Sequence, residues 1–201
     1  STGLSQYFKE SFVGTSGKII AEEKYLAEAT EFTAFLEKIK ELKPDVVFAP
    51  GYERDGSLLL KQAARIGVQT VFLAGDGWSD TVLKLAGQAA EGNYFSSHWH
   101  IDVPFSPSKA FVEKYHQKYS KELIIASDPL SYDATMILAQ GIGRAQSSEP
   151  RKIRDALAST KDFQGATGTI TFDENGDPLN KDAVILKFDK GKTVFVKTIK
   201  P

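Results

Sequence analysis

The chain of 201 residues contains no cysteine. This absence excludes disulfide bonds, thiolate metal sites and a cysteine nucleophile. No apolar run approaches the roughly 20 residues that cross a membrane as a helix. Neither sign of charge predominates, because 25 lysines and arginines stand against 26 aspartates and glutamates. No global field therefore favours nucleic acid or an anionic membrane, and we expect a small neutral or zwitterionic partner.

The motifs of several common enzyme classes are also absent. The sequence has no P-loop and no Gly-x-Ser-x-Gly, so neither phosphoryl transfer nor the common esterase arrangement has support. The glycines of "GIGRA" and "GATGT" do not follow a predicted strand and open a helix. They are therefore not a dinucleotide-binding fingerprint.

Two stretches resemble metal sites only in part. His98 and His100 would lie on one face of a strand, but no third ligand is close in sequence. The stretch "DENGD", residues 173–177, is similar to the start of a calcium loop. Pro178 stands where that loop needs glycine, and Val184 stands where it needs a bidentate glutamate. We predict no metal site and interpret "DENGD" as a turn.

The first half of the chain alternates helical and strand-like apolar patterns, and 41% hydrophobic residues suffice for a core. Thr30 is expected to cap a helix with an apolar stripe from Phe32 to Leu42. We further predict helices over residues 4–12, 55–66 and 79–86, and strands over residues 18–21, 46–49, 70–74 and 93–97. This order predicts an α/β fold, a three-layer parallel sheet with helices on both faces.

The second half begins with three predicted helices and no strand between them, over residues 108–119, 129–144 and 149–158. Strand-like runs at 169–172, 183–188 and 193–199 follow, with turns at "ENGD" and "DKGK" that predict a C-terminal β-hairpin. The three helices either bundle among themselves or lack the sheet that would cover them. Their apolar faces are an association hazard, so we expect the chain to self-associate.

The candidate site lies where the strands of a parallel sheet end, since ligands bind outside their carboxyl ends. The loop "PGYERDG" offers Tyr52 there, and "GDGWSD" offers Asp76 and Trp78. An ionised carboxylate beside an aromatic wall suits the ammonium group of a ligand. The alternative is structural: Asp76 would be a helix cap and Tyr52 a half-buried aromatic, while Asp80 is a better candidate than Asp76 for a plain cap.

Three stretches carry a resemblance that covers nearly all of the chain. They are "GKIIAEEKYLAEATEFTAFLEKIKELKPDVVFAPGY", "LLLKQAARIGVQTVFLAGDGWSD" and "DFQGATGTITFDENGD". Together they resemble the periplasmic solute-binding proteins of branched-chain amino acid importers of the ABC type. The resemblance implies the type I clamshell fold, with flavodoxin-like lobes. Residues 1–102 and 168–201 would form the second lobe, and residues 103–167 would be helices of the first lobe.

The resemblance also implies a function and a set of site residues. Such a protein closes on leucine, isoleucine, valine or a similar small amino acid and delivers it to a membrane permease, with no catalysis and no cofactor. The first lobe grips the ligand carboxylate. The second lobe contributes an acid for the α-ammonium, which falls on Asp76, and a nearby tyrosine, which falls on Tyr52. Trp78 would be a wall residue. Many relatives carry glutamate at the position of Asp76.

By the same resemblance the chain is expected to be a fragment that lacks the N-terminal half and the carboxylate-binding part of the site. The precursor would carry a signal peptide, and the protein would work in the periplasm or on the extracellular face, with a lipid anchor in a Gram-positive cell. Two alternatives stay open. One is a ligand-sensing regulatory or receptor domain of the same fold, and the other is a flavodoxin-like phosphoacceptor domain with Asp76 as the acceptor.

Overall fold

The computed structural model of the protein describes residues 2–26, 28–120 and 124–200. Residues 1, 27, 121–123 and 201, which belong to the predicted lobe ranges, lie outside the described residues. The helices are α1 Thr2–Gly14, α2 Thr33–Leu42, α3 Glu53–Ile66, α4 Asp80–Ala86, α5 Ser106–Tyr119, α6 Ser127–Ala145 and α7 Pro150–Ala158. The strands are β1 Val46–Phe48, β2 Val71–Ala74, β3 Tyr94–Ser97, β4 Phe163–Gly165, β5 Gly168–Ile170, β6 Ala183–Asp189 and β7 Lys192–Ile199. A 3-10 turn, Gly87–Ala90, follows α4.

The main sheet has the order β1-β2-β3-β6-β7, and its first three strands are parallel. Strands β6 and β7 are joined by Lys190 and Gly191, both with positive φ (52° and 74°), as a two-residue hairpin requires. Strands β4 and β5 form a separate antiparallel pair. The predicted α/β fold, a parallel sheet with helices and a C-terminal hairpin, is confirmed.

The chain divides into two compact units. The first unit contains residues 1–96 and 185–196, and the second contains residues 97–184 and 197–201. The assignment of residues 103–167 to a different lobe of the clamshell stays a prediction.

Aromatic side chains pack on both faces of the sheet in the first unit. The register pairs Phe48 with Leu73, so these two side chains share one face, and Phe8 of α1 stacks on Phe48 with ring centroids 4.1 Å apart. On the other face, Phe188 of β6 contacts Phe95 of β3 at 5.0 Å. The same Phe188 stacks on Trp78 at 6.2 Å. The loops that follow β1 and β2 thus start from a sheet that is covered on both sides.

Buried Asn93 joins three elements of the first unit. Its Oδ1 accepts the backbone N–H of Phe72 in β2 (2.8 Å), and its Nδ2 donates to the carbonyl of Ala90 (2.9 Å). Its own carbonyl accepts the N–H of Phe188 in β6 (3.1 Å). An asparagine that is only 5% exposed needs such partners, because an unpaired buried amide is costly. The side chain therefore supplies a hydrogen bond to β2 at Phe72, directly before the residues that pair β2 with β3.

The second unit contains a buried carboxylate that organises the β4–β5 turn. Asp133 of α6 is 1% exposed and accepts the backbone N–H groups of Ala166 (2.6 Å) and Thr167 (2.8 Å) and the Thr167 hydroxyl (2.7 Å). Lys181 donates to the Thr167 carbonyl at 2.9 Å. Burial lowers the pKa of Lys181, and the charge of Asp133 opposes that shift. A β-carbon on Gly165 would lie 2.5 Å from Asp133 Oδ2, so only glycine fits beside the carboxylate.

No helix among the described residues is long and apolar enough to cross a membrane.

Some helix residues of the second unit expose apolar side chains. The exposed apolar residues of α6 are Tyr132, Met136, Leu138 and Ile142. Self-association of the chain through such surfaces stays a prediction.

Two local predictions are wrong. Residues 18–21 do not form a strand; they lie between α1 and α2 with no regular secondary structure. Thr30 does not cap α2, which begins at Thr33. The N-terminal amides of this helix are satisfied by other side chains, because Gln62 accepts the N–H of Phe32 (2.7 Å) and Glu31 accepts that of Thr33 (3.0 Å).

We expect Asp133→Ala to destabilise the chain by about 2–4 kcal/mol, because it leaves buried N–H donors without an acceptor. Urea unfolding followed by circular dichroism would measure the change. Asp155→Ala is the matched control, since that side chain is 64% exposed and its loss is expected to cost no more than about 0.5 kcal/mol. Equal stability of the two variants would contradict a stabilising role for the Asp133 hydrogen bonds.

Candidate functional site

The candidate site is built on two loops at the carboxyl ends of β1 and β2. These strands are parallel neighbours, and Phe48, the last residue of β1, pairs with Leu73. One loop leads from Phe48 to α3, which begins at Glu53, and the other leads from Ala74 to α4, which begins at Asp80. Both loops predicted to carry the site therefore leave the sheet at the same edge and run into helix N-termini.

The two loops approach each other so closely that a side chain would not fit between them. A β-carbon on Gly77 would lie 2.5 Å from the carbonyl oxygen of Gly51 and 3.3 Å from Cδ1 of Tyr52. Neither Gly75 nor Gly77 has a positive φ. Gly77 is thus required by the close approach of the two backbones rather than by a left-handed turn.

Hydrogen bonds at the starts of the two helices fasten the loops further. Ser79 caps α4 by accepting the N–H of Thr81 (3.0 Å), and its hydroxyl also donates to the carboxylate of Glu53 in the first turn of α3. Asp80, the predicted cap, instead accepts the hydroxyl of Thr193 in β7. Of the capping or turn role considered for Asp80, the capping role falls to the serine directly before it, which occupies the N-cap position.

Asp76 and Tyr52 lie on the exposed side of these loops. Tyr52 is 72% exposed and Asp76 is also exposed. Because Gly77 contacts the Tyr52 ring, the structure brings the loop of Asp76 against this tyrosine. Three further acids lie in the same loops and first helical turns, Glu53, Asp55 and Asp80, against one base, Arg54. The local excess of negative charge favours a cationic group.

Trp78 occupies a different position from Asp76 and Tyr52. It is only 2% exposed and lies between Phe188 of the sheet and α3. A β-carbon on Gly56 of α3 would lie 2.4 Å from the Nε1 atom of Trp78. Among the described residues, its Nε1–H has no hydrogen-bond partner. The ring therefore supports the loop of Asp76 from inside the unit and offers almost no surface to a ligand.

Sequence reasoning missed two residues that hold the Tyr52 loop. Asp55 accepts the backbone N–H of Tyr52 (3.0 Å) and the hydroxyl of Tyr25 (2.5 Å). Burial, with the hydrogen bond to Asp55 and that residue's charge, raises the pKa of Tyr25 well above its ordinary value. An acid three residues after an N-cap position is a readable helix-start signal, which would have drawn attention to Asp55. No local pattern connects Tyr25 to it.

The stretches considered as metal sites have structural partners. His98 and His100 follow β3, which ends at Ser97, so they do not share the face of a strand. The Nδ1 atom of His100 lies 3.5 Å from Oδ2 of Asp102. Asp173 accepts the N–H groups of Asn175 and Asp177 in a turn, and these bonds lower its pKa. In residues 2–26, 28–120 and 124–200 no three His, Asp or Glu side chains are grouped as a metal ion would need.

Several known proteins are similar to this chain. A leucine-binding protein of Thermotoga maritima matches all of the chain and 57% of its own length, with a TM-score of 0.93 and 34% identity. The branched-chain amino acid transporter substrate-binding protein of Streptococcus pneumoniae, solved with isoleucine, matches all of the chain and 56% of its own, with a TM-score of 0.87 and 31% identity. The leucine-, isoleucine-, valine-, threonine- and alanine-binding protein of Pseudomonas aeruginosa is 27% identical over 95% of the chain.

The chain spans about half the length of the curated relatives it matches, 51% in the case of the Pseudomonas aeruginosa protein. The family described as periplasmic binding protein matches residues 1–193, which is nearly the whole sequence. The parallel sheet and the loops at its carboxyl edge agree with this match. The chain therefore belongs to the periplasmic binding protein family.

Proposed function

We propose that the full-length natural chain is the extracytoplasmic solute-binding component of an ABC importer, and that it binds a branched-chain or similar small amino acid. The observation that carries this proposal is the placement of Tyr52 and Asp76 on two loops in contact at one sheet edge. The named relatives with 34% and 31% identity bind leucine or isoleucine, or are solved with it, which supports the choice of ligand class.

The proposed chemistry is recognition of a zwitterion by groups of opposite charge. Asp76 accepts the α-ammonium in charge-assisted hydrogen bonds, and the exposed ring of Tyr52 lies beside it. The acids at the starts of α3 and α4 add a negative field that attracts the ammonium and repels a free carboxylate. Trp78 keeps a supporting role below the Asp76 loop, consistent with its burial.

The remaining parts of the proposal rest on membership of the family. The ligand carboxylate is held by the first lobe of the clamshell. The loaded protein delivers its ligand to the membrane subunits of the importer, and it performs no chemical reaction. The working location is the periplasm or the outer face of the cell membrane.

Asp76→Ala in the full-length natural chain is expected to weaken leucine binding by about 2–5 kcal/mol, because the ammonium loses its charged partner. This corresponds to a rise in the dissociation constant of about 30-fold or more. Isothermal titration calorimetry with leucine, isoleucine and valine would measure it.

Asp45→Ala is the matched control for that experiment, because Asp45 is an exposed acid at the amino end of β1. Its loss removes the same charge from the same unit without touching the site loops. Unchanged affinity in Asp76→Ala, or an equal loss in Asp45→Ala, would remove Asp76 from the proposed site.

Gly77→Ala should both destabilise the protein and weaken the ligand complex, because its methyl group meets a backbone carbonyl and forces the loops apart. We expect a stability loss of about 1–3 kcal/mol in thermal or urea unfolding. Gly143→Ala is the control, since no atom lies within 4 Å of a β-carbon there. A Gly77→Ala protein with wild-type stability and affinity would show that the close approach of the loops is not needed.

A further inference from the structure

Asp55 holds the backbone of the Tyr52 loop by a hydrogen bond. It lies in the first turn of α3, and its Oδ1 accepts the N–H of Tyr52 at 3.0 Å. Its other oxygen, Oδ2, accepts the hydroxyl of Tyr25 at 2.5 Å. Because both carboxylate oxygens are engaged by donors from different parts of the chain, the rotamer of Asp55 and the position of Tyr52 are determined together.

The space around Gly51 shows how tightly this arrangement is packed. A β-carbon on Gly51 would lie 2.1 Å from Asp55 Oδ2 and 2.5 Å from the Tyr25 hydroxyl oxygen. The backbone directly before Tyr52 therefore rests on the Tyr25–Asp55 hydrogen bond. Any movement of this bonded pair would move the loop that carries the Tyr52 side chain.

Tyr25 is 39% exposed, but its ring contacts a buried residue of the first unit. Its ring contacts Phe32 edge-on, with centroids 5.1 Å apart, and Phe32 is 1% exposed. Gln62 of α3 accepts the N–H of Phe32 (2.7 Å) and donates to the carbonyl of Thr30 (2.7 Å). Tyr25, Thr30 and Phe32, which precede α2, are thus fixed to α3 at Asp55 and again at Gln62.

We infer that Asp55 is a positioning residue for the ligand site, that it orients Tyr52 through the backbone N–H, and that Tyr25 holds Asp55 in place. This inference rests on the proposed function, since it assigns Tyr52 a ligand to be oriented toward. Both carboxylate oxygens of Asp55 are engaged, one by Tyr25 and one by the Tyr52 backbone, so beyond its charge Asp55 acts on the ligand through Tyr52. The segment between α1 and α2 therefore belongs to the binding apparatus although it lies outside the sheet edge.

The first test needs no ligand. Amide hydrogen exchange at Tyr52, measured by NMR, should become about tenfold or more faster in Asp55→Ala, because the N–H loses its acceptor. Asp55→Asn should retain most of the protection, since its amide oxygen accepts the Tyr52 N–H and its amide nitrogen donates to the Tyr25 oxygen. Exchange at Tyr52 that is equally slow in Asp55→Ala and in the control Asp45→Ala would overturn the inference.

The second test is a double-mutant cycle in the full-length natural chain with leucine as the probe. Asp55→Ala and Tyr25→Phe should each raise the dissociation constant about 3- to 30-fold when Tyr52 is present. They should have little effect in a Tyr52→Ala background, because the residue they orient is gone. The exposed Tyr119→Phe is the matched control for Tyr25→Phe, and its affinity should be unchanged.

The outcomes separate this inference from the proposed function. If Asp76→Ala and Tyr52→Ala weaken leucine binding but Asp55→Ala and Tyr25→Phe do not, the positioning role is wrong and the site stands. An equal effect of Asp55→Ala with and without Tyr52 also contradicts positioning through that residue. If neither Asp76→Ala nor Tyr52→Ala changes affinity, the proposed site fails, while a loss of amide protection still establishes that Asp55 orients the loop.

Discussion

The close approach of two glycines is the constraint on which the candidate site depends. The carbonyl of Gly51 occupies the space where a β-carbon of Gly77 would lie, so the loops after β1 and β2 meet backbone to backbone. Two parallel strands bring their loops to the same edge of a sheet, but their side chains normally keep the loops apart. Here Gly77 has no side chain to keep the two backbones apart. Tyr52 and Asp76, each next to one of these glycines, are consequently carried by one joined surface.

The joined loops rest on a rigid interior. Trp78 fills the space between α3 and the sheet, where Gly56 leaves room for its indole and Phe188 stacks on it. An aromatic ring of this size buries about 150–250 Å², which makes it a major contributor to the core. The residue two positions after Asp76 is thus fixed, and so is the backbone that leads to it. Sites built on packed elements hold their side chains more accurately than sites on free loops.

The sequence correctly predicted the strands that have a neighbouring strand to pair with. Residues 46–49 and 70–74 were continuous apolar runs that a covered parallel strand requires, and both are strands in the structure. Residues 18–21 have a similar local preference, but the structure pairs them with no described strand and they form none. Thr30 had the chemistry of a cap, yet Gln62 and Glu31 satisfy the start of α2. A distant side chain can replace a local cap, and local patterns do not reveal it.

The difference between local patterns and contacts distant in sequence also explains which parts of the candidate site the sequence predicted. The rule that ligands bind at the carboxyl ends of parallel strands selects Tyr52 and Asp76, because it depends only on where strands end. The rule does not say how deeply a side chain is buried, and Trp78, expected as a wall residue, is only 2% exposed. Tyr25 and Asp55 are joined only by the fold, across the whole of α2 and β1. Their hydrogen bond joins the segment before α2 to the first turn of α3, so a contact between residues distant in sequence lies beside the loop of Tyr52.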